Sequence, residues 1–464
     1  MASPRTFFGL AVTALLAVSA PAQLRVCSWN ITNYSSGRTS EFQTSIYGVF
    51  SGRSLAPDVI LAQEILSDAA SLNFLTILNT APGSPGDWAR VPFVNGPDTD
   101  QTAFYRTSRV THLSTVIAAT GSTDPNDQPR HTMRHDFRLA GYSANSTVIA
   151  MYNSHMKASS GTSDQARRLV EANKILTNVA TLPAGYHFLF GGDTNMQNSS
   201  QAAYQALVSG TWGTRQFNDP IKTPGSWENN GSFRFVHTQD PGPGKTMDSR
   251  FDFLLLSSGL MDGTGLDYIG NPNVAYSTTT WNDPNHSYRC WGNDGSSFNA
   301  ALNISTNSMV GSTIATALQN SAVGGGHLPV FLDMKVPAKI GLSASLIDLG
   351  NVQYLGRPQA TVTLTHAGDI AKWTTAGLQN LVVTPTADPK ITIVPGTRTI
   401  TPGMNKLFTM RPQTNVLGRF QRNVTLATND PDFPTRTITL KWNVVRGYPW
   451  QPVRNPIEGP RGGF

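Results

Sequence analysis

Between residues 24 and 337 the chain sets short apolar runs between polar loops. The runs are LRVCSW (24–29), DVILA (58–62), AFYR (103–106), TVIAMY (147–152), HFLF (187–190), FDFLLL (251–256) and PVFLDM (329–334). Each has the length and residue type of a buried strand. Residues 164–179, DQARRLVEANKILTNV, instead place apolar residues at helical spacing, with Asp164 as the expected N-cap. Strands interleaved with a helix predict an α/β layered domain over residues 23–337. After Pro337 the pattern changes to alternating runs such as ATVTLTHAG and RTITLKWNVV, with turn signals every 8 to 12 residues or so. That pattern predicts an all-β sandwich over 338–446, followed by a Pro/Gly-rich tail, 447–464, expected to fray.

Composition narrows the class. With 464 residues, 39% hydrophobic and 14% charged, the chain has material for more than one core, which excludes a disordered or coiled-coil protein. The net charge of +6 is uneven. Residues 23–337 carry 20 Lys and Arg against 23 Asp and Glu, whereas residues 338–464 carry 14 against 6. The basic excess therefore belongs to the C-terminal region, as a solvated face or as a surface for nucleic acid or another anionic partner.

Residues 1–22, MASPRTFFGLAVTALLAVSAPA, combine one Arg, an apolar run and small residues at 20 and 22, the pattern of a cleaved export signal. No later stretch is long and apolar enough to span a bilayer as a helix, so a secreted or periplasmic product is expected. Cys27 and Cys290 are too few for a disulfide scaffold and lack zinc-ligand spacing; one bridge or two buried thiols would both fit.

The candidate chemistry lies where the strands end. Asn30 follows LRVCSW, Glu64 follows DVILAQ and His155 closes TVIAMYNSH. Asp193 and Asn195 follow HFLFGG, Asp252 opens FDFLLL and His327 precedes PVFLD. Strands ending in ionisable or amide groups bring those groups to one edge of a sheet on rigid supports. Carboxylates for a hard cation, two imidazoles and two amides suit phosphoester hydrolysis, and Mg²⁺ fits this inventory better than zinc does.

WN at 29–30, QE at 63–64, NSHMKA at 153–158, GGDTN at 191–195, RFDFLLLS at 250–257 and GHLPV at 326–330 stand in the order of the endonuclease/exonuclease/phosphatase superfamily. Over residues 24–335 the chain resembles that superfamily, whose type member is deoxyribonuclease I. The resemblance implies a four-layer α/β sandwich and a phosphodiesterase or phosphomonoesterase site using Mg²⁺ or Mn²⁺. It implies that Glu64 ligates the metal with Asn30 beside it, and that His155 contacts phosphate and protonates the leaving oxygen. Asp193 would position water or metal, Asn195 bind a phosphate oxygen, Asp252 orient His327 and Asp100 orient His155. One departure stands out: relatives write SDH before PV, whereas this chain has Gly326 in place of the acid, which puts a second metal in doubt.

Residues 338–446 resemble immunoglobulin-like modules of the abnormal-spindle, SPD and Hydin type, which implies binding or spacing rather than chemistry. His131 and His135 are read as loop residues, and no GxSxG elbow marks a serine hydrolase. The leading expectation is an exported Mg²⁺-dependent phosphodiesterase acting as an endonuclease on nucleic acid. A secreted sphingomyelinase or other phospholipid phosphodiesterase and an inactive binding protein are the alternatives. Trp281 and Trp291 lie where sphingomyelinases of the superfamily carry a membrane-entering hairpin, but here they flank the polar segment NDPNHSYRC.

Overall fold

The apolar runs become the inner strands of two sheets. A computed structural model describes residues 23–209, 215–394 and 396–447, so the export segment and all but Gly447 of the tail lie outside the described residues. The strands up to Lys335 are β1 (Leu24–Tyr34), β2 (Val59–Ile65), β3 (Trp88–Arg90), β4 (Asp100–Arg106), β5 (Val110–Ala119), β6 (Thr132–Leu139) and β7 (Val148–His155). They continue with β8 (His187–Asp193), β9 (Phe217–Asn218), β10 (Asp252–Ser257), β11 (Asp267–Tyr268), β12 (Arg289–Cys290) and β13 (Val330–Lys335). One sheet has the order β11-β13-β1-β2-β4-β3, with β12 also on β13; the other runs β5-β6-β7-β8-β10-β9.

The sheets pack face to face through Val26, Leu61, Met151, Leu189, Leu254 and Leu332, all buried in one cluster. Helices α1 (Thr39–Tyr47), α2 (Asp68–Thr80) and α5 (Gly311–Ser321) cover the outer face of the first sheet through Phe42, Phe74 and Ile314, packed with Trp29 and Phe104. Helices α3 (Thr162–Ala180) and α4 (Ala202–Val208) cover the second through Ile175, Leu176 and Tyr204, packed with Tyr152 and Phe190. Helix, sheet, sheet, helix is the expected four-layer α/β sandwich. Strands buried on both faces need continuous apolar runs, which is why β7 and β8 read so plainly in the sequence.

Two details differ from the sequence reading. Gly161, not Asp164, occupies the N-cap of α3, and Asp164 sits in the first turn, where its carboxylate meets Lys157 Nζ at 2.9 Å. His135 lies on β6, buried, with Nδ1 3.1 Å from Thr115 Oγ1, while His131 Nδ1 accepts from Gly121 N. Cys27 and Cys290 are both free and buried.

Beyond Pro337 come β14 (Ile340–Leu342), β15 (Leu346–Gln353), β16 (Ala360–His366), the short helix α6 (Ile370–Trp373), β17 (Leu381–Ala387) and β18 (Ile391–Val394). The last strands are β19 (Arg398–Ile400), β20 (Asn405–Pro412), β21 (Gly418–Thr428) and β22 (Thr435–Val445). They form a second, all-β sandwich from sheets β14-β16-β20-β18 and β15-β22-β21-β17-β19 around Val362, Phe408, Leu426 and Leu440. The two regions touch closely. Trp373 and Leu378 join the cluster between the first two sheets, and Asp432 Oδ1 accepts from Ser143 N and Ala144 N at 2.8 Å each.

Candidate active site

Strand direction explains why distant residues meet. β1 runs parallel to β2, and β7 parallel to β8, so Asn30, Glu64, His155 and Asp193 emerge from the same end of the two sheets. β10 and β13 run antiparallel to these strands, so their beginnings, at Asp252 and just after His327, reach that end too. Asp193 is the register partner of both His155 and Asp252. The two glycines before Asp193 are required by space. A Cβ on Gly192 would lie 1.9 Å from Ser154 O, and one on Gly191 would lie 2.7 Å from Leu61 Cδ1 of the opposing sheet. Between the sheets Gln63 Nε2 donates to Asn153 Oδ1 at 2.7 Å, and Asn153 Nδ2 donates to Ala62 O and Thr102 O. These buried amides tie the strands carrying Glu64 and His155 together.

One oxygen is the hub. Asp193 Oδ2 accepts from Asn30 Nδ2 at 3.0 Å and stands 3.4 Å from both His155 Nε2 and His327 Nε2. Asp193 Oδ1 accepts from Asn195 N at 3.0 Å. Asn30 Nδ2 also donates to Glu64 Oε1 at 2.9 Å, and Asn33 N donates to Glu64 Oε2 at 2.8 Å. His327 Nδ1 lies 2.7 Å from Asp252 Oδ2, which also accepts from Thr238 Oγ1. Glu64 and Asn195 both adopt positive φ, 62° and 51°. For Glu64 this accompanies the irregularity in the β2 pairings next to it. Such conformations cost about 1–3 kcal/mol each and persist where the surroundings fix them.

Burial and charge set the protonation states. Burial alone would lower the His327 imidazole, but Asp252, Asp193 and Glu64 outweigh it and raise its pKa to about 10. Burial, with Asp252 and Glu64 adding and His327 and Asn30 opposing, lifts Asp193 to about 6. Burial, with Arg130 and His327 nearby, pushes His155 well below the usual imidazole range. Near neutral pH the cluster thus holds a charged His327, a neutral His155 and an ionised Asp193.

The structure brings together Asn30, Glu64, His155, Asp193, Asn195, Asp252 and His327, and leaves Asp100 aside. Asp100 Oδ1 accepts from Gly96 N at 2.6 Å, capping the loop before β4, and no hydrogen bond joins it to His155 among the described residues. The acids within reach of His155 are Glu64, 3.6 Å from Nδ1, and Asp193. Asn30 stands beside Glu64, as the resemblance implies. Its Nδ2 faces two carboxylates and its Oδ1 accepts from Thr32 N, so it orients the acids as a donor. Sequence reasoning missed Thr238, which fixes Asp252, and Arg130, whose charge acts on His155. Neither lies in a strand-end pattern that could have marked it. A Cβ at Gly326 would lie 2.5 Å from Thr32 Oγ1 and 2.6 Å from Ala322 Cα, so a larger side chain has no room there.

Among the described residues no three His, Cys, Asp or Glu side chains form a closed metal cage. The donor set still fits a hard divalent cation that keeps most of its waters. Glu64, Asp193 and Asp252 outnumber the one imidazolium, and the Glu64 side chain, 15% exposed against 2% for Asp193, is the most accessible of the three carboxylates.

No protein-family model and no curated protein matches the chain. Among solved structures it is similar to the human Nocturnin catalytic domain with bound sulfate, at 13% identity and TM-score 0.39 over 68% of this chain and 95% of that one. D. rerio TDP2 complexed with a single-strand DNA product gives 14% and 0.37 over 68% and 99%. An endonuclease/exonuclease/phosphatase family protein from Bacteroides thetaiotaomicron gives 14% and 0.35 over 67% and 94%. At these low values the roles of the side chains rest on the geometry above.

Proposed function

We propose that this chain is an exported, divalent-metal-dependent phosphodiesterase that cuts nucleic acid internally. The observation that carries the reading is Asp193 Oδ2, shared by Asn30 and two imidazoles, one of them held charged by Asp252. Asp193, ionised above about pH 6, orients the attacking water and takes its proton. His327, the charged imidazole, stabilises the developing oxyanion and is the group able to protonate the leaving oxygen. His155, neutral in its buried setting, offers an N–H to a phosphate oxygen rather than a whole proton. The Asn195 amide, set on the turn after Asp193, supplies a further donor to phosphate. Mg²⁺ held by Glu64 would withdraw charge from the phosphate oxygens.

Nucleic acid is favoured over a lipid by the packing of the segment between Asp252 and His327. Trp291 is buried with its Nε1 on Ser45 O, and Trp281 packs against Arg53. The large apolar residues exposed in residues 261–326 are Val274 and Val323, too little to enter a membrane. The basic C-terminal sandwich would then hold the enzyme on an anionic surface, and residues 1–22 would direct it to the periplasm or the exterior.

The test offers purified protein with Mg²⁺ to plasmid DNA, RNA and sphingomyelin vesicles side by side. Nicked plasmid or cut RNA, abolished by chelator, is the expected result. Phosphocholine release alone would move the chain to lipid chemistry. Absence of all three activities in the folded protein would leave a binding protein.

A further inference from the structure

A polar cleft lies at the end of the first sheet away from the catalytic cluster. Its volume is about 340 Å³, within the size range of small-molecule sites, and its lining includes Arg25, Arg53, Arg289, Trp281, Phe331 and Asp333. Arg25 precedes Asn30 by five residues along β1, which at roughly 3.3 Å per residue puts the cleft about 17 Å from the catalytic cluster.

The three guanidinium groups differ in one respect. Arg25 is neutralised by Asp333, with Nε 2.7 Å from Oδ1, and covers the Phe331 ring at 4.1 Å. Arg53 and Arg289 have no carboxylate within 4 Å among the described residues. Carbonyls fix them instead: Arg53 donates to Met309 O and Ser308 O, while Arg289 donates to His286 O, Tyr288 O and Asp283 O. Carbonyls orient a guanidinium without cancelling its charge, so both keep a positive field for an anion, with Arg289 offering Nε alone because its Nη groups serve these carbonyls and Asn282 Oδ1. Arg53 Nη1 has no acceptor among the described residues, and the Arg53 guanidinium lies 5.0 Å over the Trp281 ring. That ring is itself held by Trp281 Nε1 on Ser308 Oγ at 3.0 Å. Two oriented positive charges beside a fixed indole suit a ligand that joins an anionic group to a planar ring.

We propose that this cleft binds a nucleoside monophosphate unit, phosphate toward Arg53 and Arg289 and base toward Trp281, apart from the catalytic cluster. The choice of a nucleotide rests on the proposed nucleic-acid substrate, whose cleavage leaves such ends. The unit could come from a free mononucleotide or from the end of a strand, since both carry the same phosphate and base.

Calorimetric titration of the full chain in chelator, with adenosine 5′-monophosphate, adenosine, inorganic phosphate and a short 5′-phosphorylated oligonucleotide, tests this. The monophosphate should bind at one site, more tightly than adenosine or phosphate alone. Arg53→Gln and Trp281→Ala should each weaken it about tenfold or more, the scale of a hydrogen bond to a charged group. Arg53→Lys, which keeps the charge, should weaken it less, with an unfolding midpoint like that of the parent as the control for folding. Tighter binding of the oligonucleotide would identify a strand end as the source, and equal or weaker binding a free nucleotide. Unchanged affinity in both variants, loss only on His327→Ala, or no binding at millimolar concentration would each overturn the proposal. Because the readout is binding without metal, it stands or falls separately from turnover.

Discussion

His327 Nδ1 and Asp252 Oδ2 lie 2.7 Å apart, both buried, and this pair decides which imidazole of the site is charged. Asp252→Asn removes the nearest carboxylate, so the His327 pKa should fall from about 10 and the imidazolium should be lost at lower pH. Turnover should drop by about 10² to 10⁴, the range for a disabled general acid or base. The alkaline limb of the pH–rate profile should move down the pH scale with it. A variant with the parent's profile would remove the pair from the chemistry.

Glu64 and Asn30 are joined by a 2.9 Å hydrogen bond yet should respond differently to metal. Glu64→Gln should raise the Mg²⁺ concentration needed for half-maximal rate by about tenfold or more and lower turnover by about 10². Asn30→Ala should lower turnover by misplacing Asp193 and Glu64, with a smaller change in the metal requirement. Equal shifts in metal requirement would make Asn30 a metal ligand beside Glu64.

Gly326→Asp asks whether an acid fits at this position. A Cβ there would meet Thr32 Oγ1 at 2.5 Å and Ala322 Cα at 2.6 Å, a clash that overpacking data place at about 1–3 kcal/mol. The variant should unfold at lower temperature and bind no additional Mg²⁺. A second bound metal at unchanged stability would show that the loop yields.

These residues also show what the sequence could and could not reveal. Asn30, Glu64, His155, Asp193, Asn195, Asp252 and His327 were legible because each stands at or close to the end of an unmistakable apolar run. Helices α1, α2 and α5 were not, since their Gly-, Ser- and Thr-rich neighbourhoods read as loop and their apolar faces take shape only against Trp29 and Phe104. Asp100 came from the resemblance and not from the apolar pattern, which marked only residues 103–106; it opens β4 with its carboxylate on Gly96 N. Thr238 and Arg130 reach the site from segments with no local signature, so only the three-dimensional pairing of chain with chain exposes them.

Glu171 gives the fold a pH dependence. Buried on α3, it accepts from Ser154 Oγ and Thr132 Oγ1 at 2.6 Å each, and burial lifts its pKa from 4.5 to about 7. The folded state therefore holds the proton more tightly than the unfolded one. Stability should fall as pH rises from about 4.5 to 7 and level off above that, a loss of up to about 3 kcal/mol. Glu171→Gln should flatten this slope and raise the unfolding midpoint above pH 7. Denaturant melts at pH 5 and pH 8 measure both, and parallel pH slopes in variant and parent would discount the assignment.

Trp373 belongs to the C-terminal region but is buried among side chains of the N-terminal one. Its ring is 1% exposed, shares a cluster with Val110, Tyr142 and Val336, and carries the Arg109 guanidinium at 4.9 Å. Lys339 Nζ donates to Gly141 O, and Asp432 Oδ1 accepts from Ser143 N and Ala144 N, so polar contacts reinforce the junction. Truncating such a tryptophan costs about 3–5 kcal/mol. Trp373→Ala should therefore lower the thermal midpoint of the N-terminal region and separate one calorimetric transition into two. Cleavage of a small phosphodiester at low temperature should persist, because none of these residues approaches Asp193. A chain cut near Pro337 would uncover the same apolar surface and should be less stable than the whole. If Trp373→Ala leaves the calorimetric trace of the parent unchanged, the two regions fold without support from each other.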